Sequence, residues 1–260
     1  MNTLLITGGS SGIGLATVQY FVSKQWQVFE LSRSGSSSEQ VCHIYCDVTD
    51  ESSVQQALAQ VMQHTDHLDV VISNAGFGIS GPIEFTDSQA AKKQFDVNFF
   101  GAFYLVKAVL PILRQQGYGR VLFTSSVAAE LSIPYQGFYS ASKSAINALA
   151  LALANEVRAF GIQVSVLMPG DVATGFTNAR EKEIKGADVY HNAHAAVAAM
   201  ERDEQSGMPP VQMARDLYRM ATTLSPKPLY VGGMMYKVFC LLDRLLPKRL
   251  VNWIVGKLYC

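Results

Sequence analysis

Tyr139 and Lys143 are the two residues whose types and spacing point most directly to chemistry. A phenol titrates near about 10, so at neutral pH it is a poor proton donor or acceptor unless its anion is stabilised. A lysine one helical turn further on favours the phenolate by charge and by hydrogen bonding. Many helices carry such a pair by chance. Together with the motifs described below, however, the pair predicts an acid–base group that works nearer pH 7.

A glycine-rich turn lies near the N-terminus. Thr7 and Gly8 follow a strand-like run, and Gly12 and Gly14 open a helix-like one. Glycines let the backbone turn tightly and approach a pyrophosphate, whose charge the helix N-terminus then stabilises. The alternative is an ordinary turn between a strand and a helix. Its place in the first strand–helix–strand unit favours a dinucleotide-binding turn.

Strand-like and helix-like segments alternate along the chain, and these elements must position both features. The strand-like segments are 3–7, 27–31, 41–45, 69–73, 120–124, 163–167 and 229–231. The helix-like segments are about 12–24, 52–65, 87–116, 138–160, 179–204 and 209–223. This alternation predicts an α/β fold with a single Rossmann-type doubly wound parallel sheet of about seven strands and helices on both faces.

Two segments fall outside this alternation. Residues 1–231 complete the predicted dinucleotide-binding and catalytic domain, but about 175–210 form a charge-rich excursion on its substrate side. Residues 232–260 are an apolar and basic helical tail. Neither segment is needed to complete the sheet, so both are candidates for functional elements.

Composition argues against several classes of protein. The 21 basic and 21 acidic residues give a formal net charge of zero, so no overall field predicts a nucleic-acid partner. No run of about 18 apolar residues predicts a membrane-spanning helix. The first strand begins at once, without a secretory signal. We therefore expect a cytoplasmic protein, with peripheral membrane contact through the tail as an open alternative.

The cysteines do not predict a metal site. They are Cys42, Cys46, Cys240 and Cys260. Cys42 and Cys46 lie in one predicted strand, about 13 Å apart, which does not suit a shared metal ion. We expect reduced thiols and no metal.

Further motifs follow in a fixed order. They are Asn74-Ala75-Gly76 after the fourth strand, Asn98 in the next long helix, Ser126, and Pro169-Gly170 after the sixth strand with Thr174 beyond it. Together with the glycine-rich turn and the Tyr139–Lys143 pair, they make the chain resemble the short-chain dehydrogenase/reductase family over about residues 3–175. The resemblance implies hydride transfer between a nicotinamide cofactor and a carbonyl or an alcohol.

The resemblance gives each catalytic residue a role. Tyr139 would protonate the carbonyl oxygen in reduction or take the alcohol proton in oxidation, and Lys143 would lower its pKa and hold the nicotinamide ribose. Ser126, for which neighbouring Ser125 is the rival, would hydrogen-bond the substrate oxygen. Asn98 would support a water that relays protons to Lys143, although alone it could equally be a capping or turn residue.

The resemblance also implies a set of cofactor-binding residues besides Tyr139 and Lys143. Asn74 and Gly76 would line the adenosine side, and Thr174 would reach the nicotinamide amide or a phosphate. The whole set is Gly8, Ser10, Ser11, Gly12, Ile13, Gly14, Arg33, Asp47, Val48, Asn74, Ala75, Gly76, Pro169, Gly170, Val172 and Thr174. For Asp47, a helix cap is an equal alternative.

The end of the second strand favours NADP(H) over NAD(H). An acid at this position selects NAD, whereas an arginine accommodates NADP. Glu30 lies inside the strand, and Ser32 stands where the family resemblance places the selecting acid. Arg33 can clamp a 2′-phosphate. The alternative for Arg33 is a solvated loop charge.

Apolar residues around the predicted reaction centre suit a lipid-like substrate, although core packing would also explain many of them. They are Phe77, Ile79, Phe85, Ala128, Leu131, Ile133, Phe138 and Phe176. The tail adds two basic amphipathic helices separated by Pro247. They could lie on an anionic membrane, cover the substrate or pack on another subunit. The tail resembles those of hydroxysteroid and retinol-type members of the family.

These features together predict an NADP(H)-dependent oxidoreductase that interconverts a ketone or aldehyde and an alcohol on a steroid, retinoid or similar lipid. Two alternatives stay open. One is a 3-oxoacyl-(acyl-carrier-protein) reductase, and the other is a non-catalytic cofactor-binding protein that acts at a membrane or on a partner. The helices at about 100–116 and 139–160 usually form subunit contacts in this family, so we expect a homodimer or homotetramer.

Overall fold

The computed structural model describes residues 1–182 and 184–259, and a seven-stranded parallel sheet lies at its centre. The strands are β1 (Thr3–Thr7), β2 (Gln27–Ser32), β3 (Val41–Tyr45), β4 (Val70–Ser73), β5 (Ile79–Ser80), β6 (Gly119–Thr124), β7 (Ile162–Pro169), β8 (Glu181–Lys182) and β9 (Leu229–Gly232). The sheet order is β3-β2-β1-β4-β6-β7-β9, and β5 pairs with β8 apart from it. The order in which the strands are added reverses between β1 and β4, and ligands bind at this position in such folds. The predicted fold class is confirmed.

Helices cover both faces of the sheet. They are α1 (Gly12–Val22), α2 (Glu51–Val61), α3 (Ser88–Phe95), α4 (Gly101–Gln116), α5 (Gly137–Glu156), α6 (Phe176–Ala179), α7 (Ala193–Gln205), α8 (Pro210–Thr222), α9 (Met234–Leu245) and α10 (Lys248–Tyr259). Leu5 of β1 packs in a core with α2, α4 and α5, whereas Leu4 and Ile6 pack with α1 and α8. Central strands such as β1 and β4 are largely apolar because both of their faces are buried, whereas the edge strands β3 and β9 are partly exposed.

The helix predicted at 87–116 is interrupted. A π-helical turn, Asp96–Phe100, separates α3 from α4 and carries the buried side chain of Asn98. Such a turn changes the direction of side chains relative to a continuous helix. The following Gly101 packs so closely on Val48 that a Cβ there would lie 2.9 Å from the valine side chain. This region is therefore shaped to place Asn98.

The helix predicted at 179–204 is wrong in its first half. α6 ends at Ala179, β8 and a turn follow, and α7 begins only at Ala193. Gly186 in the turn has φ of +75°, and a Cβ there would lie 2.2 Å from the Phe85 ring. A left-handed glycine pressed against an aromatic ring cannot continue a helix.

One described segment, Ser88–Gln116, is long and apolar enough to cross a membrane by length and composition alone. Its residues Leu105, Val109 and Leu113 are fully buried in the core beside the sheet. A core helix of this kind passes the same test of length and composition as a membrane-spanning one.

The expected domain boundary between residues 231 and 232 stays a prediction.

Candidate active site

The predicted catalytic residues come together at the carboxyl ends of β4 and β6. Tyr139 and Lys143 lie on the first turns of α5, Ser126 follows β6, and Asn98 lies in the π-helical turn. The ammonium of Lys143 donates to the Thr124 carbonyl at 2.9 Å and lies 5.8 Å from the centroid of the Tyr139 ring. The same face of α5 thus carries both halves of the acid–base pair.

Burial, not charge, dominates the ionisation of this pair. It raises the pKa of Tyr139 to about 12, although the hydrogen bond with Ser126 acts in the opposite direction. It lowers the pKa of Lys143 to about 8, because a buried ammonium loses hydration. Lys143 is not among the causes of this shift, so its expected lowering of the Tyr139 pKa stays a prediction. With the pKa raised by burial, Tyr139 carries its proton at neutral pH, as a proton donor must.

The two adjacent serines have different environments. Ser126 hydrogen-bonds Tyr139, and its Oγ also accepts from the backbone N–H of Ala128 at 3.1 Å. Ser125 is buried, and its Oγ donates to the Lys143 carbonyl at 3.1 Å. Ser126 is therefore the serine that shares the site with Tyr139, whereas Ser125 fastens α5 to the end of β6.

Asn98 holds the segment after β4 in place. Its Oδ1 accepts from the N–H of Phe77 at 3.0 Å, while its Nδ2 donates to the Phe77 carbonyl at 3.1 Å and to Ser142 Oγ at 3.0 Å. A Cβ on Gly76 would lie 3.2 Å from Asn98 Oδ1 and 3.4 Å from Lys143 Nζ. The glycine thus lets the backbone pass directly over the lysine.

The glycine-rich turn forms a closely packed cradle. Gly8 has φ of +67°, and a Cβ there would lie 2.8 Å from Ala75 Cα; a Cβ on Gly14 would lie 2.0 Å from the Gly8 carbonyl. Asn74 Nδ2 donates to that carbonyl at 3.1 Å. Ser11 precedes α1 in extended conformation without a side-chain capping bond. The open N-terminus of α1 fits a pyrophosphate.

Other predicted cofactor residues surround the cradle. Gly12 has φ of +54°, and a Cβ there would lie 3.4 Å from Thr174, so the turn faces the segment after β7. Asp47 accepts from both the N–H and the hydroxyl of Thr49. The cap of α2 is Asp50, so the helix-cap alternative for Asp47 is wrong. Ser10 lies in the turn itself, and Ile13 is the second residue of α1.

Glu30 has a role that the sequence did not reveal. Its buried carboxylate accepts from the N–H of Gly9 at 2.8 Å and from Ser32 Oγ at 3.1 Å, and it pairs with His43 Nδ1 at 2.6 Å. This acid holds the glycine-rich turn to β2 and is already fully engaged. Arg33, just beyond β2, is exposed and has no partner among the described residues.

The segment after β7 is covered by the tail, which sequence reasoning did not predict in this detail. The Tyr236 ring packs directly on Gly170, so that a Cβ on this glycine would lie 2.1 Å from the ring. Tyr236 Oη donates to Asp171 Oδ2 at 2.5 Å. Pro169 ends β7, and Val172 bridges to Met208. Tyr236 comes three positions after Gly233 and belongs to no motif, so only the fold shows that it covers this segment.

The substrate side is largely aromatic. The Phe176 ring lies 5.7 Å from the Tyr139 ring, and the Arg180 guanidinium lies 5.5 Å from the Phe176 ring. Arg180 pairs with Glu204 of α7. Of the apolar residues predicted around the reaction centre, Phe176 touches Tyr139 directly, whereas Phe85 packs on Gly186 and Tyr190. Sequence reasoning missed Arg180 and Glu204, since their pairing crosses 24 positions.

Among the residues that the structure describes, no group of three or more His, Cys, Asp or Glu side chains could hold a metal ion. Cys42, Cys46 and Cys240 are free thiols, and burial raises the pKa of Cys46 to about 11. Cys260 lies outside the described residues.

Comparisons with known proteins agree with this geometry. The family model described as "short chain dehydrogenase" matches residues 2–185. The 3-ketodihydrosphingosine reductase of Bacteroides thetaiotaomicron is 34% identical over 98% of this chain and 97% of its own length. The probable short-chain type dehydrogenase/reductase VdlC of Helicobacter pylori is 31% identical over 94% and 92%.

Solved structures share the fold. A short-chain dehydrogenase from Streptomyces avermitilis superposes with a TM-score of 0.85 at 26% identity, covering 98% of this chain and 97% of that one. ElxO with NADP bound gives 0.77 at 22% identity, covering 91% and 99%. A short chain dehydrogenase/reductase from Burkholderia phymatum in complex with NAD gives 0.80 at 22%, covering 93% and 92%. The last two likenesses show the fold alone, and between them they include both cofactors.

Proposed function

The chain belongs to the short-chain dehydrogenase family, and we propose that this oxidoreductase uses NADP(H) to reduce the ketone of a lipid-like molecule. The observation that carries the proposal is the Ser126–Tyr139–Lys143 arrangement beside a glycine cradle. A bound nicotinamide would supply the hydride for the carbonyl carbon. Ser126 and Tyr139 would hydrogen-bond the carbonyl oxygen, and Tyr139 would give it the proton that completes the alcohol.

Two features at the end of β2 support NADP(H). Glu30 is occupied by Gly9, Ser32 and His43, so its carboxylate is not free to take the ribose hydroxyls of NAD. Arg33 is exposed next to that strand end. A guanidinium there can pair with a 2′-phosphate. The proposed preference for NADP(H) therefore rests on the exposed Arg33 and on Glu30, whose carboxylate already has partners within the chain.

The substrate class rests on the aromatic wall and on one relative. Phe176 stands against Tyr139, so a carbonyl placed at the phenol would have an apolar neighbour. The Bacteroides relative, which this chain matches nearly end to end, is named for a long-chain keto lipid. We infer a ketone on a long aliphatic chain as the substrate class, ahead of steroids and retinoids.

The tail helices, α9 and α10, expose an apolar face instead of burying it. Exposed side chains on them are Met234, Met235, Val238, Phe239, Leu241, Leu242, Leu245, Leu250, Trp253, Ile254 and Leu258. The single acid between them, Asp243, is buried and paired with Lys248. The exposed charges of the described tail residues are therefore all positive. A basic face with exposed aliphatic residues and a tryptophan suits an anionic bilayer surface. We propose that α9 and α10 bind such a surface through this face.

The enzymatic proposal is tested by following NADPH and NADH oxidation at 340 nm. The substrates are 3-ketodihydrosphingosine, a long-chain methyl ketone, a steroid ketone, retinal and a 3-oxoacyl thioester. We expect turnover of long-chain ketones with NADPH. Turnover of the thioester alone would identify a fatty-acid-type reductase instead. NADPH binding without turnover of any carbonyl would indicate a non-catalytic protein.

The membrane proposal is tested by sedimentation with vesicles of phosphatidylcholine alone or with phosphatidylglycerol. We expect binding to the anionic vesicles that weakens with salt. Replacing Leu241, Leu245 and Trp253 by serine should abolish it, whereas Leu224→Ser, which alters an exposed leucine outside the tail, should not. If vesicles are not bound but these tail substitutions dissociate an oligomer in light scattering, a second copy of the chain covers the face.

A further inference from the structure

Arg180 is a buried cation with unmet hydrogen-bond donors. Its side chain is 1% exposed, and one nitrogen, Nη2, donates to the Glu204 carboxylate. Nε and Nη1 are buried and have no partner among the described residues. Glu204 is itself anchored, because its second oxygen accepts from Thr177 Oγ1 at 2.7 Å. The guanidinium is thus fixed in place with two nitrogens left open.

This guanidinium lies beside the reaction centre. It stacks 5.5 Å from the Phe176 ring, which is 5.7 Å from the Tyr139 ring. Its Nε is 3.6 Å from where a Cβ on Gly78 would be, so the glycine leaves room at that nitrogen. The pair also acts on the pKa of Tyr139, which Glu204 raises and Arg180 lowers. The open donors are therefore within electrostatic reach of the reacting phenol.

A buried hydrogen-bond donor without an acceptor destabilises the folded protein. Leaving a charged N–H group without an acceptor is unfavourable, and aromatic neighbours such as Phe176 cannot replace the lost hydration. Nearly all buried donors in native proteins are satisfied, so an exception needs a reason. A ligand oxygen that arrives with the substrate would supply the missing acceptor.

We propose that Arg180 determines specificity by donating a hydrogen bond to an oxygen on the polar head of the substrate, close to the reacting ketone. The inference rests on the proposed function, since it concerns the same site. It requires a long-chain ketone that carries a second oxygen, as a hydroxyl or a carbonyl, within a few bonds of the first. A site that hydrogen-bonds such an oxygen discriminates against an analogue that lacks it.

The experiment compares kcat/KM for three ketones of equal chain length. One carries a hydroxyl near the ketone, as in 3-ketodihydrosphingosine, one carries a thioester carbonyl, and one has no second oxygen. The wild type should prefer at least one oxygen-bearing ketone over the plain one by roughly 10–100-fold. Whether the hydroxyl or the thioester is preferred identifies the source of the oxygen.

Substitution then assigns that preference. Arg180→Met should lower kcat/KM for the preferred ketone by roughly 10–100-fold and change the plain ketone less than about threefold. Arg180→Met with Glu204→Gln repeats the test without leaving an unpaired carboxylate. Arg202→Met, which alters an exposed arginine on α7, is the matched control. NADPH binding and thermal melting confirm that each variant is folded.

Two results would overturn the inference. One is an equal loss on all three ketones, which would make Arg180 a structural support of the loop. The other is a preference that survives Arg180→Met. If no ketone is turned over, the proposed function fails by itself. Calorimetric titration of the same lipids then tests Arg180 without turnover, and equal affinities of wild type and variant would contradict its role.

Discussion

The nucleotide side and the substrate side of the site satisfy their polar groups in opposite ways. On the nucleotide side, Glu30 joins Gly9, Ser32 and His43, and Asn98 uses both ends of its amide. On the substrate side, Arg180 leaves two buried nitrogens without a partner. Glu30 and Asn98 are thus satisfied within the chain, whereas Arg180 still needs an acceptor.

The largest expected effect comes from breaking the chemistry that lies between the two sides. Tyr139→Phe removes the proton donor, and proton transfer by such a group contributes about 10²–10⁴-fold to the rate. We expect kcat to fall by that order while NADPH affinity, measured by fluorescence titration, stays unchanged. Tyr118→Phe, at an exposed tyrosine, is the control. Near wild-type turnover by the Tyr139 variant would refute its role.

The next effect tests whether the nucleotide side depends on internal pairing. Glu30→Gln keeps the shape but removes the carboxylate that accepts from Gly9 and Ser32 and pairs with His43. Hydrogen bonds to charged groups contribute about 1.5–3 kcal/mol each. We expect a loss of this order in the free energy of unfolding by urea, together with weaker NADPH binding. Glu39→Gln, in the exposed loop, should change neither; an unaltered Glu30 variant would make the carboxylate dispensable.

The pH dependence sharpens the contrast within the acid–base pair. Lys143, with a pKa of about 8, is charged below that value and neutral above it, whereas Tyr139 stays protonated to about 12. If reduction needs the ammonium, kcat/KM should fall about tenfold per pH unit above about 8. Lys143→Arg should move this fall of kcat/KM to higher pH, even if the maximum rate is lower. If the fall stays at the same pH in the variant, Lys143 is not the group that causes it.

The smallest effect concerns cofactor choice at the surface. Arg33→Ser should raise the KM for NADPH about tenfold and leave that for NADH unchanged, because an exposed charge pair is partly screened by water. Steady-state kinetics with both cofactors measures the change. Arg114→Ser, at an exposed arginine of α4, serves as the control. A parallel change for both cofactors would show that Arg33 does not read the 2′-phosphate.

Sequence reasoning predicted the sheet closely but the substrate side poorly, and the reason is physical. Strands β1 and β3 begin and end as predicted, because short runs rich in apolar residues leave a local signal in the sequence. The π-helical turn at Asp96–Phe100 and the break at Gly186 depend on packing against distant residues. Pairs such as Arg180–Glu204 leave no local pattern, so only the fold reveals them.

The contact between Tyr236 and the end of β7 has a practical consequence for protein engineering. Removing residues 232–259 would uncover the Gly170 backbone and leave Asp171 without its hydrogen bond. Burial raises the pKa of the Asp171 carboxyl, because the group is poorly hydrated. Losing the hydrogen bond from Tyr236 would therefore be unfavourable for the folded protein. The segment is therefore not a detachable appendage. A truncation at this boundary would alter the loop after β7 as well as the surface, so point substitutions are the cleaner way to test the tail.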